Sequence, residues 1–321
     1  MQHSGSERPD VTVVGSANLD FVVPVERLPA PGETVLGGNL TIAHGGKGAN
    51  QALAASRAGA AVAFIAKLGR DGHGGEIRRH LLASGLSLGA VLDDPEAPSG
   101  VAFILVEQGG RNQIVVAAGS NLRLSPRDLE PFVSLIRGGR VLLTQLETPV
   151  NTVAAALRQA RQGHVVTILN PAPARPLPDD LYPLVDYVTP NETEASALSG
   201  IRVTDVSSAP AAARYFLARG CRGAVITLGA AGAVLGTPEG CWHFPACPVT
   251  AVDSTAAGDA FNGALAARLA RGARLEDAVR WANAAGALAC TRQGAQESLP
   301  DLAELEGFLA LHPSQTPARI P

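Results

Sequence analysis

Short apolar runs recur along this chain, and Ala-rich stretches of helical length stand between them. The runs are Val11–Ser16 (VTVVGS), Ala61–Gly69 (AVAFIAKLG), Val141–Glu147 (VLLTQLE), His164–Asn170 (HVVTILN), Val185–Asn191 (VDYVTPN) and Gly223–Gly229 (GAVITLG). They lack the polar alternation of a strand with one wet face, so they read as strands buried on both sides. The stretches Gly48–Gly59, Gly74–Gly85 and Asn151–Gly163 read as helices that stop at glycine. Gly258–Gly272 and Glu276–Cys290 read as two further helices that close the domain. The alternation predicts an α/β fold, a central and mostly parallel sheet with helices on both faces. Of the 321 residues 46% are hydrophobic but only 4% aromatic, so the core must be built from Ala, Val and Leu. The reading is one domain over residues 8–312, followed by a loose Pro-rich tail at 313–321.

One segment departs from the pattern. Ser99–Asn121 holds two β runs joined through Gly109-Gly110, a hairpin signal. Val101, Phe103 and Leu105 fall on one face, and Ala102, Ile104 and Val106 on the other. A hairpin apolar on both faces needs cover on both sides. The expectation is a small β-sheet lid, with its strands inserted at about 18–46 and 98–119. One lid face would close over a ligand and the other would meet a second copy of the chain.

Charge and composition exclude several classes. The net charge of −3 leaves no electrostatic footprint for nucleic acid. No apolar run reaches the roughly 18 residues of a membrane span, and the polar N-terminus MQHSGSERPD is not a signal peptide. Cys221, Cys241, Cys247 and Cys290 have no C-x-x-C spacing and read as small buried hydrophobes in a reducing, cytoplasmic setting. Lys47 and Lys67 are the only lysines, which singles out their surroundings.

Polar residues collect where the strands end. Asn18 and Asp20 follow the first strand, Gln145 and Glu147 end the third, and Asn170, Asn191 and Thr227 end the next ones. In open parallel sheets ligands bind beyond those ends. HGGKGANQA (His44–Ala52) is no Walker A loop, because Gly48 rather than Ser or Thr follows Lys47. It reads instead as a Gly-rich helix entry in which Lys47 and Asn50 clamp hydroxyls. TPNETEA puts Asn191 and Glu194 on one face of a helix start, an arrangement that caps the helix or holds a water-bridged Mg²⁺. TLGAAGA (Thr227–Ala233) reads as a Gly-bearing turn between strands, either a plain hairpin or a turn that lies along a nucleotide. In STAAGDAFNG (Ser254–Gly263) the small residues Ala256, Ala257 and Gly258 leave helix-start N–H groups bare, with Asp259 beside them. That is an anion site with an adjacent base.

Together GSANLD, PGETV, GGKGANQA, QLE, NPAPAR, TPNETEA, ITLGAAG, VDSTAAGDAFNGAL and AAGALACTRQGAQES resemble the PfkB-type carbohydrate kinases, in their ribokinase branch. The likeness runs in order from Val11 to Ser298. It implies ATP-dependent phosphorylation of D-ribose at O5. Asn18, Asp20, Gly46, Lys47, Gly48, Asn50 and Glu147 match sugar contacts. Asp259 matches the catalytic base, and Ala256, Ala257 and Gly258 the anion hole. Asn191, Thr227, Gly229, Gly232, Gly258 and Asn283 match nucleotide contacts, with Glu194 and Leu228 beside them. Asp253, Thr255, Ala289, Arg292, Gly294 and Ser298 match a monovalent-cation loop, so K⁺ is implied beside Mg²⁺. Asn283 stands where some relatives have His, and Glu297 where some have Pro. The rival readings are a same-family kinase for 2-deoxyribose, a nucleoside or a keto-sugar acid, a non-catalytic sugar-binding regulator, and a nicotinamide dehydrogenase. The last lacks a G-x-G-x-x-G after the first strand.

Overall fold

The computed structural model describes residues 8–107, 109, 111–312 and 316–321. Strand β1 (Val11–Val14) is buried throughout, with Val11 and Val13 in one helical layer's core and Val14 in the other's. It passes into β2 (Asn18–Val25), β3 (Thr41–Gly45), α1 (Lys47–Arg57), β4 (Val62–Gly69), α2 (Gly72–Ala83) and β5 (Val91–Asp94). Next come β6 (Gly100–Glu107), β7 (Asn112–Ala117), α3 (Val133–Gly138), β8 (Val141–Thr144), α4 (Val150–Gln162), β9 (Val166–Leu169) and β10 (Tyr187–Val188). The chain closes with α5 (Glu192–Ser199), α6 (Ala209–Ala218), β11 (Gly223–Thr227), β12 (Ala233–Thr237), β13 (Gly240–Phe244), α7 (Ala257–Ala270), α8 (Leu275–Ala289), α9 (Leu302–Leu311) and β14 (Ala318–Ile320).

The large sheet has the order β14-β13-β12-β11-β10-β9-β8-β1-β4-β5. From β5 to β11 neighbouring strands are parallel, and from β11 to β14 they are antiparallel. Ala, Leu and Val side chains of α1, α7 and α8 fill one face, and those of α4 and α6 the other. This is the two-sided cover that the unalternating apolar strands require. β1 lies between β4 and β8, so the chain leaves it in opposite directions on its two sides. The crevice beyond the carboxyl ends of β1 and β8 is therefore the switch point where such sheets take ligands.

A second sheet, ordered β3-β2-β6-β7, stands apart from the first. Asn18 of β2 pairs with Gly45 and Gly100, and β6 pairs with β7 from Val101↔Ala117 to Val106↔Asn112. Gly109 is in a turn; Gly110, the other half of the expected hairpin corner, lies outside the described residues. Phe21 stacks on Phe103 across the sheet at 5.5 Å. Phe103, Ile114, Val115 and Val116 are all about half exposed or more, Val115 reaching 67%.

The structure departs from the sequence reading at several points. Within the lid span expected at about 18–46, the second strand is confined to Thr41–Gly45, with only an isolated Val25↔Gly37 bridge before it. The expected pair of closing helices is followed by a third, α9, whose start Asp301 and Glu304 cap reciprocally. Of the tail expected to be loose, residues 313–315 lie outside the described residues, and Ala318–Ile320 pairs as β14 on β13, in register Cys241↔Ile320. It satisfies backbone groups that an open edge strand would expose. β5, too short and too acidic to read as a strand, completes the opposite edge.

Candidate active site

Gly46 begins the site. Its φ of +87° is left-handed, and a Cβ there would lie 2.6 Å from the Ala17 Cα. Only glycine allows that turn and that approach. The turn lets α1 begin directly against the end of β1. The first N–H groups of α1 are capped from afar: the Lys47 N–H donates to Glu147 Oε2 (2.9 Å) and the Ala49 N–H to the Ser16 carbonyl (2.8 Å). Ser16 Oγ also donates to Glu147 Oε2 (2.5 Å). One oxygen of Glu147 is thus committed to the fold and the other remains for a ligand.

Asn18 and Asp20 occupy alternate positions of β2 and so share a face. Asn18 Oδ1 accepts from Asn121 Nδ2 at 2.8 Å. Asp20 Oδ1 is buried and has no hydrogen-bond partner among the described residues. Burial, reinforced by Glu147, Asp259 and Glu297 and opposed by Lys47, pushes the Asp20 carboxyl up to about 7. An orphaned buried acceptor of this kind has room for one more hydrogen-bond donor. The two lysines are now distinguished. Lys67 is tied to Asp128 at 3.0 Å and holds a loop. Burial pulls the Lys47 ammonium down, but Asp259, Glu147, Glu194 and Asp20 more than offset this and the net shift is upward. Lys47 makes no ion pair among the described residues, so its three donors remain for a ligand.

Asp259 lies in the first turn of α7 and is 6% exposed. Its Oδ2 accepts from Asn50 Nδ2 (2.9 Å) and its Oδ1 from Gln51 Nε2 (2.8 Å). Each oxygen keeps a lone pair. Ala256, which precedes the helix, has φ +58°, a strained value for a residue with a Cβ. It offers no side-chain cap. The N–H groups of Gly258 and Asp259 find no acceptor among the described residues, and nothing lies within 4 Å of a Cβ built at Gly258. The helix start therefore presents bare donors and partial positive charge to open space.

Further along the crevice, Asn191 and Glu194 form a reciprocal capping box on α5, with Asn191 bridged to Thr227. Burial raises the Glu194 carboxyl, against the Asn191 N–H and Lys47. Leu228, Gly229 and Gly232 form the turn between β11 and β12, and Gly232 is held at φ +92° against the Phe244 carbonyl. Asn283 on α8 donates to that same carbonyl at 3.2 Å, so its amide group props the end of β13. Asp253 Oδ1 accepts from the Thr255 N–H, and Asp253 Oδ2 from the Gly294 N–H (3.0 Å), which joins the loop before α7 to the loop after α8. Of the other residues matched to the cation loop, Arg292 pairs with Glu304 at 2.6 Å, Ala289 accepts the Arg292 N–H, and Ser298 is fully buried.

The sequence reading missed the amide framework around Asp259. Gln51 bridges Asp259, Asn170 (2.9 Å) and Gln145 (2.5 Å). Gln296 reaches Asn50, and Asn121 fixes Asn18. Gln51 and Gln296 stood within quoted motifs, but nothing in the chain order says that an amide faces a carboxylate some 200 positions away.

A model of the pfkB family carbohydrate kinases matches residues 8–302. A ribokinase of Haemophilus influenzae is 41% identical over 302 residues, covering 94% of this chain and 99% of its own. A mouse ribokinase is 39% identical, covering 92% and 93%. Among solved structures, Arabidopsis thaliana ribokinase complexed with ribose and ATP superimposes with a TM-score of 0.88 at 29% identity, covering 94% of this chain and 99% of that one. With a buried carboxylate at an uncapped helix start, beyond the switch point of a parallel sheet and beside a small second sheet, the chain belongs to the pfkB family of carbohydrate kinases.

Proposed function

We propose that this chain transfers the γ-phosphoryl group of ATP to O5 of D-ribose, giving ribose 5-phosphate and ADP. The observation that carries the reading is Asp259, a buried carboxylate held by amides at both oxygens next to bare helix-start N–H groups. Its free lone pair takes the O5 proton as the O5–P bond forms and the bond from phosphorus to the ADP oxygen breaks. The backbone around Ala256, Ala257 and Gly258 receives the charge of the equatorial oxygens. Phosphoryl transfer asks little more of a protein than this positioning and charge stabilisation. Asn18, Asp20, Gly46, Lys47, Gly48, Asn50 and Glu147 hold the sugar. Asn50 Oδ1 is already occupied by Gln296, so Asn50 serves the sugar as a donor. Asn191, Thr227, Leu228, Gly229, Gly232, Gly258 and Asn283 line the nucleotide.

Glu194, with one oxygen outside its capping box, fits a Mg²⁺ held through water, which would neutralise phosphate charge. The residues around Asp253 also fit a large monovalent cation such as K⁺. The carbonyls of Asp253, Thr255, Arg292 and Gly294 accept no hydrogen bond among the described residues, and Ala289 and Ser298 stand beside them. The half-exposed apolar strands β6 and β7 support a homodimer formed through the lid, which sedimentation at micromolar concentration reads directly. No helix among the described residues is long and apolar enough to cross a membrane. Cys221 and Cys241 are buried as expected, whereas Cys247 and Cys290 are only partly so; all four are unpaired, which suits the reducing cytoplasm.

The experiment is a panel of ribose, 2-deoxyribose, nucleosides and keto-sugar acids with Mg-ATP, the product identified by phosphorus NMR. Ribose 5-phosphate as the preferred product supports the reading. Preferred turnover of another acceptor, or sugar binding with no turnover, overturns it.

A further inference from the structure

The Asp259 carboxylate ends a chain of hydrogen bonds that reaches the lid. Asn50 Nδ2 donates to Asp259 Oδ2 (2.9 Å), Gln296 Nε2 donates to Asn50 Oδ1 (2.9 Å), and Gln296 Oε1 lies 2.7 Å from His80 Nε2. The carboxylate fixes the direction of every link. An ionised carboxylate only accepts, so Asn50 turns its NH₂ toward Asp259 and its oxygen toward Gln296. Gln296 must then give its NH₂ to Asn50, which leaves its oxygen for His80. His80 Nε2 therefore carries the proton. Neither amide can flip without losing hydrogen bonds at both its ends.

The anchor is itself held. His80 lies in the last turn of α2 and stacks on His44 of β3, with ring centroids 3.6 Å apart and an interplanar angle of 6°. Ser84 Oγ, at 3.5 Å from the same nitrogen, is too distant to compete. Arg57 Nη1 donates to the Gln296 carbonyl at 2.7 Å and fixes the loop that presents the amide. None of these groups touches the sugar or the phosphates in the reading above.

We propose that His80 is a positioning residue for phosphoryl transfer: its Nε2–H anchors Gln296 and Asn50, and through them the plane of the Asp259 carboxylate, while its stack on His44 joins that anchor to the lid. The proposal rests on Asp259 acting as the base. Rotation of that carboxylate takes its free lone pair off the O5 hydroxyl, and geometry is the larger part of such catalysis.

The test uses His80→Phe, which keeps a ring for the stack but has no donor, and His80→Gln, which returns an N–H at similar reach. Both are assayed with ribose and ATP, alone and combined with Gln296→Met, at fixed K⁺, with melting curves recorded. The expected result is a kcat lower by about 3- to 10-fold in His80→Phe and restored to within about twofold in His80→Gln. Adding His80→Phe to Gln296→Met is expected to cost nothing further, as members of one chain are not independent. Wild-type kcat in His80→Phe, an equal loss in His80→Gln, or independent losses in the double variant would overturn the proposal. Asp259→Asn, assayed alongside, separates the two readings. Full turnover there removes the base and this proposal with it; lost turnover there with an unaffected His80→Phe removes the proposal alone.

Discussion

Gly263 joins the fold to the chemistry, and its replacement by alanine gives a sharp test. Helices α1 and α7 are in direct contact at this residue. A Cβ at 263 would lie 2.4 Å from the Ala54 Cβ, 2.7 Å from the Ala55 nitrogen and 2.8 Å from the Gln51 carbonyl oxygen. Two of these are backbone atoms, so α1 itself must move, by about 1 Å, to reach ordinary contact. Overpacking of this sort costs about 1–3 kcal/mol. The better helix propensity of alanine returns about 1 kcal/mol of it. The net loss of stability is therefore small. The effect on activity is larger, because Asn50 and Gln51 ride on α1 while Asp259 rides on α7. A displacement near 1 Å at a reacting group can lower a rate about 10²-fold. The expected outcome for Gly263→Ala is a kcat reduced at least about tenfold with a cooperative melt only a few degrees lower. Gly258→Ala, on the same helix with nothing within 4 Å of its Cβ, is the stability control and should melt no lower than wild type. Wild-type kcat in Gly263→Ala would refute the coupling of helix packing to the base.

Further outcomes follow from the site. Burial and the neighbouring carboxylates push Asp20 up to about 7, and sugar hydroxyls favour its ionised form, so ribose binding must expel a proton below that pH. Ribose KM should rise by up to about tenfold per pH unit as pH falls below 7, and Asp20→Asn should flatten that slope. Lys47→Ala and Glu147→Gln should weaken ribose binding by about 1.5–3 kcal/mol each, with lesser effects through ATP; unchanged titrations in both would remove the sugar clamp. K⁺ should raise kcat several-fold over a bulky organic cation at matched ionic strength, and equal rates would remove the cation loop from the account.

What was legible in the sequence was what local chemistry writes. Strands such as Val141–Thr144 show their two-sided burial as unbroken apolar runs. Gly46 and Gly48 announce a close backbone approach, and the small residues before Asp259 announce a bare helix start, though only Gly258 and Asp259 keep bare N–H groups, that of Ala257 donating to the Ser254 carbonyl at 3.2 Å. What was not legible depends on distant partners. β14 exists only because β13 leaves an edge to pair with, and its own residues carry no strand pattern. α9 was written locally too: Asp301 stands three residues before Glu304, a capping box ahead of the apolar run of the helix, and the reading passed over it because it follows a motif-rich stretch. Asn283 is placed by position as a nucleotide contact, but that its Nδ2 also donates to the Phe244 carbonyl depends on a partner that only the folded chain brings to it. Gln51 follows Asn50 on α1 and points about 100° away from it, so a pattern search that accepts one has no reason to accept the other. Both reach Asp259 because its carboxylate sits between them.

The most direct test of Asp259 as the base is single-turnover phosphoryl transfer in Asp259→Asn, with ribose affinity measured on the same preparation. An amide at 259 offers one NH₂ to the Asn50 or Gln51 donor that faces it. One hydrogen bond is therefore lost and stability falls by about 1–3 kcal/mol, while the fold persists. The expected result is ribose affinity within a few-fold of wild type and a transfer rate lower by about 10²-fold or more. A transfer rate near wild type, with ribose bound, would contradict the assignment.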